Sequence, residues 1–255
     1  MKSSQKVTQN LPNTKIKKVL MLMRHAEKVI KTGKIPKCGK YDSELTKHGI
    51  DQSYMCGKTF ISQLEKYNIS KISPSEILII SSPYMRTLQT ATHFLRGIDS
   101  KNFYDKNDMK KLYNISIEYG VREILNKNKY KEDIPKNYLN FLYNPNFDDF
   151  DQELKKLKFN ILKNYEFSTE KESKDECYIR CKKYVDEVLV NYGKNDEYKI
   201  IVIISHGGPI KYIMRALGYN IELFHGHKVM FSDQYYFDIS QGIMNAKYIE
   251  KISSY

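Results

Sequence analysis

Two histidines in this 255-residue chain stand immediately behind apolar runs. His25 follows residues 18–23 (KVLMLM) and Arg24, and His206 follows residues 199–204 (KIIVII) and Ser205. A neutral imidazole can act as a nucleophile or carry a proton, and it changes charge near physiological pH. Arg24 adjoins the first histidine, and Arg86 comes shortly after a third apolar run, residues 76–80 (EILII), with Ser81-Ser82-Pro83 between. A guanidinium is a rigid fork of donors that matches the oxygens of a phosphate, which the point charge of a lysine does not. Two carboxyls, Glu118 and Glu123, flank Gly120, and a positioned carboxyl can pass a proton to or from an oxygen at a reacting centre. These residue types suit an anionic ester group.

Elements must bring them together. The three apolar runs are unalternated, the pattern of strands buried on both faces, and all are far shorter than the ~20 residues needed to span a bilayer. Residues 115–117 read as a further short strand. Thr46 is placed to cap a helix in which Ile50, Tyr54, Gly57, Phe60 and Leu64 recur at helical spacing. A second helix begins at Arg86 and runs through Thr87, Thr90, Ala91 and Phe94. Ser173-x-x-Glu176 has the form of a capping box, and the helix behind it places Tyr178, Cys181, Val185 and Leu189 on one face. Residues 210–217 read as a helix, and 235–238 and 246–249 as edge strands. Residues 126–172, rich in Lys, Asn, Asp and Tyr, read as an insertion with short helices around 151–163. Alternating strands and helices predict a three-layer α/β/α sandwich with a mostly parallel sheet and an inserted cap region. In such folds ligands sit beyond the carboxyl ends of the strands, where Arg24-His25, residues 81–86, Glu123 and Ser205-His206 all fall.

Arg24-His25-Ala26-Glu27 resembles the Arg-His-Gly motif of the histidine phosphatase superfamily, phosphoglycerate mutase-like branch. Leu45-Thr46-x-x-Gly49-x-x-Gln52, Ser81-Ser82-Pro83-x-x-Arg86-x-x-x-Thr90-Ala91 and Ser205-His206-Gly207-Gly208 match three further motifs of that superfamily in the same order. The resemblance spans about residues 18–218 and leaves 126–172 unmatched. It implies that His25 is a nucleophile that takes up a phosphoryl group, and that Arg24, Arg86, His206 and Gly207 contribute to the phosphate pocket. Through Gly120-Val121-Arg122-Glu123 it implies Glu123 as general acid and base, with Glu118 the alternative. It also implies that no metal and no cofactor take part. The mutases of this superfamily carry a Ser and an Asn soon after the first motif; residues 26–30 (AEKVI) have neither, which favours a phosphatase. A basic residue after Arg-His-Ala-Glu is similar to the phosphatase domain of the suppressor of T-cell-receptor signalling proteins, where it is Arg and joins the phosphate pocket; Lys28 stands there in this chain. The expected substrate is a phosphorylated small molecule or a phosphotyrosine-type ester. A cofactor-dependent phosphoglycerate mutase and an inactive binding module of the same fold are the alternatives.

Composition sets the outer bounds. The formal charge of +12 favours anionic partners, but no dense arginine cluster or aromatic-interleaved basic stripe points to nucleic acid. No membrane partner is expected, and a homodimer stays open. Residues 1–16 are polar and basic without the apolar segment of a signal peptide, so they read as a disordered tail before one domain over 17–255 in a cytoplasmic protein. Cys38, Cys56, Cys177 and Cys181 lack a disulfide-framework spacing and read as reduced thiols. His48 and His93 fall on helix surfaces by spacing, and His225 and His227 in a polar loop.

Overall fold

Unalternated apolar runs must be covered on both faces, and they are so placed in the computed structural model, which describes residues 16–29, 41–69, 72–99, 113–127, 159–161, 170–219 and 229–253. The elements are β1 (Val19–Arg24), α1 (Lys47–Lys66), β2 (Ile77–Ser81), α2 (Met85–Asp99), β3 (Asn114–Ile117), β4 (Asn160–Ile161), α3 (Lys174–Tyr184), β5 (Ile200–Ser205), α4 (Gly207–Ala216), β6 (Gln234–Asp238) and β7 (Lys247–Ile252). A π-helical turn, Val185–Leu189, and a last turn, Val190–Lys194, extend α3. The strands form one seven-stranded sheet in the order β4-β3-β2-β5-β1-β6-β7. β1 to β5 pair in parallel; β6 and β7 run antiparallel.

Alternate residues of the same strands feed two cores. Val19, Met21, Met23, Ile77, Ile79, Ile200, Val202 and Ile204 pack with Phe60 and Leu64 of α1 and Phe94 and Ile98 of α2. Leu20, Leu22, Leu78, Ile80, Ile201 and Ile203 pack with Cys181, Tyr184 and Leu189 of the α3 region and Ile210 and Ile213 of α4. This is the expected three-layer arrangement. The caps also match the sequence: Thr46 Oγ1 accepts from Gly49 N, and Ser173 and Glu176 form a reciprocal capping box.

Some expectations change. β6 lies inside the sheet between β1 and β7, so of the two strands expected at an edge β7 alone is at one. Asn160 and Ile161, within the expected helical stretch 151–163, instead pair with Ser116 and Ile117 of β3. His93 is buried, because all of α2 except Arg96 and Asp99 is buried; His48 is exposed as expected. Cys177 and Tyr184 face the core with Cys181, Val185 and Leu189, while Tyr178 is half-buried. Cys56, Cys177 and Cys181 are free thiols. Residues 1–15 of the basic tail, most of the 126–172 insertion, Cys38 and the His225/His227 loop lie outside the described residues. Among the described residues no helix is long and apolar enough to cross a membrane.

Helices α1 and α2 approach until their backbones touch. A Cβ on Gly57 would stand 1.8 Å from the Phe94 carbonyl oxygen, and one on Gly97 would stand 2.0 Å from that of Tyr54. Neither obstacle is a movable side chain, so Gly57→Val must part the helices. Overpacking of this kind is expected to cost about 3 kcal/mol, read as a lower midpoint in urea unfolding; an unchanged midpoint would contradict the crossing.

Candidate active site

The site grows from the ends of two central strands. β1 and β5 pair in parallel with Arg24 opposite Ser205, so the next residues, His25 and His206, emerge side by side with ring centroids 5.2 Å apart. His25 N–H donates to Ser205 O at 2.9 Å, and Arg24 N–H to Asp233 O at 3.1 Å. Motif residues then clamp the loop behind His25. Ala26 N–H donates to Thr90 Oγ1 at 3.1 Å, and Glu27 N–H to Gln52 Oε1 at 3.0 Å. Thr46 donates through its hydroxyl to Glu27 Oε1 at 2.8 Å. Gly49 lets α1 lie against this loop, since a Cβ there would stand 2.1 Å from Glu27 O.

His25 is 1% exposed and His206 fully buried. His25 Nδ1 lies 2.8 Å from Ala26 O; a carbonyl only accepts, so Nδ1 carries the proton and Nε2 keeps the lone pair. His206 Nε2 lies 2.8 Å from Ser82 Oγ. With the serine hydroxyl donating, Nδ1 of His206 is the protonated nitrogen, and it stands 3.5 Å from Glu123 Oε2. Burial, then the Arg86 charge, holds both imidazoles well below their ordinary range; Arg24 and Lys28 add to this for each, and His25 does so for His206. Burial thus exceeds the neighbouring cations as the cause, and both rings are neutral at physiological pH.

Arg86, in the first turn of α2, is enclosed at 2% exposure, its guanidinium 4.3 Å from the Tyr84 ring. Arg24 lies 4.3 Å from the half-buried Phe231 ring, whose centroid is 5.6 Å from that of His25. Arg24 donates through Nη1 to Val229 O, and burial lowers its pKa. Arg24 Nε, Arg86 Nε and Nη1 and His206 Nδ1 are all buried without a hydrogen-bond partner among the described residues. Glu123 Oε2 lies 3.6 Å from Arg86 Nη2, and its Oε1 accepts from Ile124 N–H at 3.1 Å. Its carboxylate is 24% exposed. Glu118, the other candidate, is fully buried at the end of β3, with its N–H bonded to Ser81 O.

The structure therefore gathers Arg24, His25, Arg86, Glu123 and His206. Gly207 opens α4 beside them; a Cβ there would stand 3.7 Å from Arg24 Nε, and a helix N-terminus favours negative charge. Lys28 bridges to Leu45 in the loop and reaches the imidazoles through its charge. Asp42 has a place that the sequence analysis did not give it. It is fully buried, its Oδ1 accepts from Met85 N–H at 2.7 Å, and it lies 3.9 Å from Arg86 Nη1. Its position just ahead of the Leu45-Thr46 motif was the available signal. Among the described residues no three His, Cys, Asp or Glu side chains gather as metal ligands.

A family model, the histidine phosphatase superfamily (branch 1), matches residues 20–234. The chain belongs to that superfamily. Among solved structures it is similar to a phosphoserine phosphatase from Entamoeba histolytica in complex with 3-phosphoglyceric acid, with a TM-score of 0.51 and 22% identity over 93% of this chain and 98% of that one. It is also similar to a mycobacterial glucosyl-3-phosphoglycerate phosphatase complexed with VO3, with a TM-score of 0.52 and 16% identity over 93% of this chain and 98% of that one. At these identities the likeness is one of fold, the phosphoglycerate mutase-like α/β sandwich. No curated protein matches the chain.

The buried charges give stability a pH dependence. Burial raises the Asp42 carboxyl from 3.8 to about 7 against the pull of Arg86. The folded chain keeps that proton where the unfolded chain has released it, so this contribution to stability is lost as pH rises from about 4 to about 7. His25 and His206 act oppositely: below about 6.5 the unfolded chain takes up protons that the buried rings refuse, so stability falls with falling pH. Asp42→Asn keeps an oxygen for Met85 N–H and removes only the first trend. Urea unfolding from about pH 5 to about pH 8 is expected to show the variant gaining on wild type as pH rises; a constant difference would contradict the assignment.

Proposed function

We propose that the chain is a phosphomonoesterase that acts through a phosphohistidine on His25, with Glu123 as general acid and base and without metal or cofactor. The observation that carries this reading is the group of four buried donors, Arg24 Nε, Arg86 Nε and Nη1 and His206 Nδ1, none with a hydrogen-bond partner among the described residues, beside a neutral imidazole. Each unpartnered buried donor costs about 1–3 kcal/mol, more for a charged group. An ester phosphoryl group, with three equatorial oxygens that gain charge in transfer, suits such a set.

In this mechanism the lone pair on His25 Nε2 attacks phosphorus as the bond to the ester oxygen breaks, and the Glu123 carboxyl gives its proton to that oxygen. Glu123 then takes a proton from water, whose oxygen attacks phosphorus and breaks the N–P bond. Phosphate leaves, and the imidazole and carboxyl return to their starting states. Arg24, Arg86, His206 and the amide end of α4 at Gly207 hold the phosphoryl oxygens, and Lys28 adds positive potential.

For the substrate, two chemistries have support. The Phe231 ring beside His25 and the basic Lys28 favour an aryl or phosphotyrosine-type ester, in keeping with the suppressor of T-cell-receptor signalling resemblance. The names of the structural neighbours favour a small phosphorylated metabolite. Action in the cytoplasm on such esters, without nucleic acid or membrane, completes the reading.

The test is hydrolysis of p-nitrophenyl phosphate in excess EDTA. Wild type is expected to turn over, and His25→Ala to lose at least roughly 10³-fold. Because His25 is held neutral, kcat/KM is expected to show no imidazole-linked fall between about pH 7.5 and about pH 5.5. A folded but inert wild type that transfers phosphate between phosphoglycerates when primed would establish the mutase instead.

A further inference from the structure

Glu123 sits in irregular chain, yet the four carbonyls that lead through it are each held by a side chain. Gly120 O accepts from Arg180 Nη1 at 2.6 Å, and Val121 O from Ser205 Oγ at 2.7 Å. Arg122 O accepts from Arg180 Nη2 at 3.2 Å, and Glu123 O from Arg122 Nη1 at 3.1 Å. Ser205 belongs to β5, directly before His206, so one of these bonds ties the loop to the pocket itself.

Arg180, on α3, is in turn held by Glu172. Its Nε donates to Glu172 Oε2 at 3.1 Å and its Nη2 to Oε1 at 2.5 Å, a two-pronged pairing. Arg122 Nη1 donates to the same Oε1 at 3.3 Å. Glu172 is 7% exposed and Arg122 6%, so solvent cannot stand in for a missing member. The Glu172 backbone adds a third tie: its N–H donates to Leu125 O at 2.9 Å and its carbonyl accepts from Lys127 N–H at 3.4 Å. The two ends of the 126–172 segment therefore meet where the Glu123 loop is fastened.

We infer that Arg180 and Glu172 are positioning residues for Glu123, fixing its carboxyl relative to His206 and Arg86 without touching substrate. This rests on the reading of Glu123 as the general acid. An irregular segment has two soft dihedrals per residue, and a displacement of about 1 Å at a reacting group can cost roughly 10²-fold. Two guanidiniums on one buried carboxylate remove that freedom, and the cost of breaking such a group keeps it assembled.

The experiment compares kcat/KM for p-nitrophenyl, phenyl and alkyl phosphates in wild type, Glu123→Gln, Arg180→Lys and Glu172→Gln. The nitrophenolate leaves with little help, whereas the phenolate and alkoxide increasingly need the proton. Glu123→Gln is expected to lose roughly 10²-fold or more on the alkyl ester and far less on the nitrophenyl ester. Arg180→Lys and Glu172→Gln are expected to follow the same order in smaller measure, roughly tenfold on the alkyl ester against less than about threefold on the nitrophenyl ester. Glu172→Gln, which preserves shape, carries the test if Arg180→Lys does not fold. Equal losses on all three esters in the pair variants, with a graded loss in Glu123→Gln, would make Arg180 and Glu172 merely structural and overturn the inference. A flat response in Glu123→Gln would instead overturn its role as acid, and the inference with it.

Discussion

At the middle of the sheet β1 and β5 run parallel and end together, and from their last pair, Arg24 and Ser205, the chain passes directly to two adjacent histidines. Every other part of the site is measured from that pairing. A slip of one residue would turn His25 or His206 into the opposite core, because side chains alternate between faces. The register is enforced by apolar residues that serve both cores at once: Leu20, Leu22, Ile201 and Ile203 on one side, Met21, Met23, Val202 and Ile204 on the other. Burial far from the chemistry thus sets the distance between the two rings.

What this places side by side is electrostatically costly. Burial first, and then the charges of two guanidiniums and a lysine, keep both rings neutral. Carboxylates offset the arginines: Glu123 near Arg86 and Asp233 acting on Arg24. Glu123 stands 3.5 Å from His206 Nδ1 and Asp42 3.9 Å from Arg86 Nη1, and none of the four donors has a hydrogen-bond partner among the described residues. The arginine charges are thus partly offset while these four donors stay without a hydrogen bond among the described residues, in keeping with the phosphoryl site proposed above.

Much of this was legible in the sequence, and the parts that were not share a physical cause. The unalternated apolar runs, the Thr46 cap, the Ser173 capping box and the order of the four motifs are local signals, and the structure realises each. Arg24, His25, Arg86 and His206, put forward by those motifs, come together with Glu123 beyond the strand ends. By contrast, residues 235–238 (YYFD) read as an edge strand because their own pattern is mixed; their interior place depends on β7 returning to cover them. His93 looked exposed because its spacing on α2 says nothing of how completely α1 and the sheet enclose that helix. Asp42, Arg180 and Glu172 fall in none of the motifs read from the sequence. Their roles come from partners 43 and 60 residues away for Asp42 and Arg180, a distance over which no periodicity informs.

The central claim is a covalent bond between phosphorus and His25, and the direct measurement is to trap it. Enzyme mixed with a labelled phosphomonoester and quenched within a turnover should carry label that survives alkali and is lost in acid, on the peptide that contains His25. The same quench of His25→Ala should yield none. Label on another residue, or turnover by His25→Ala at the wild-type rate, would contradict the account.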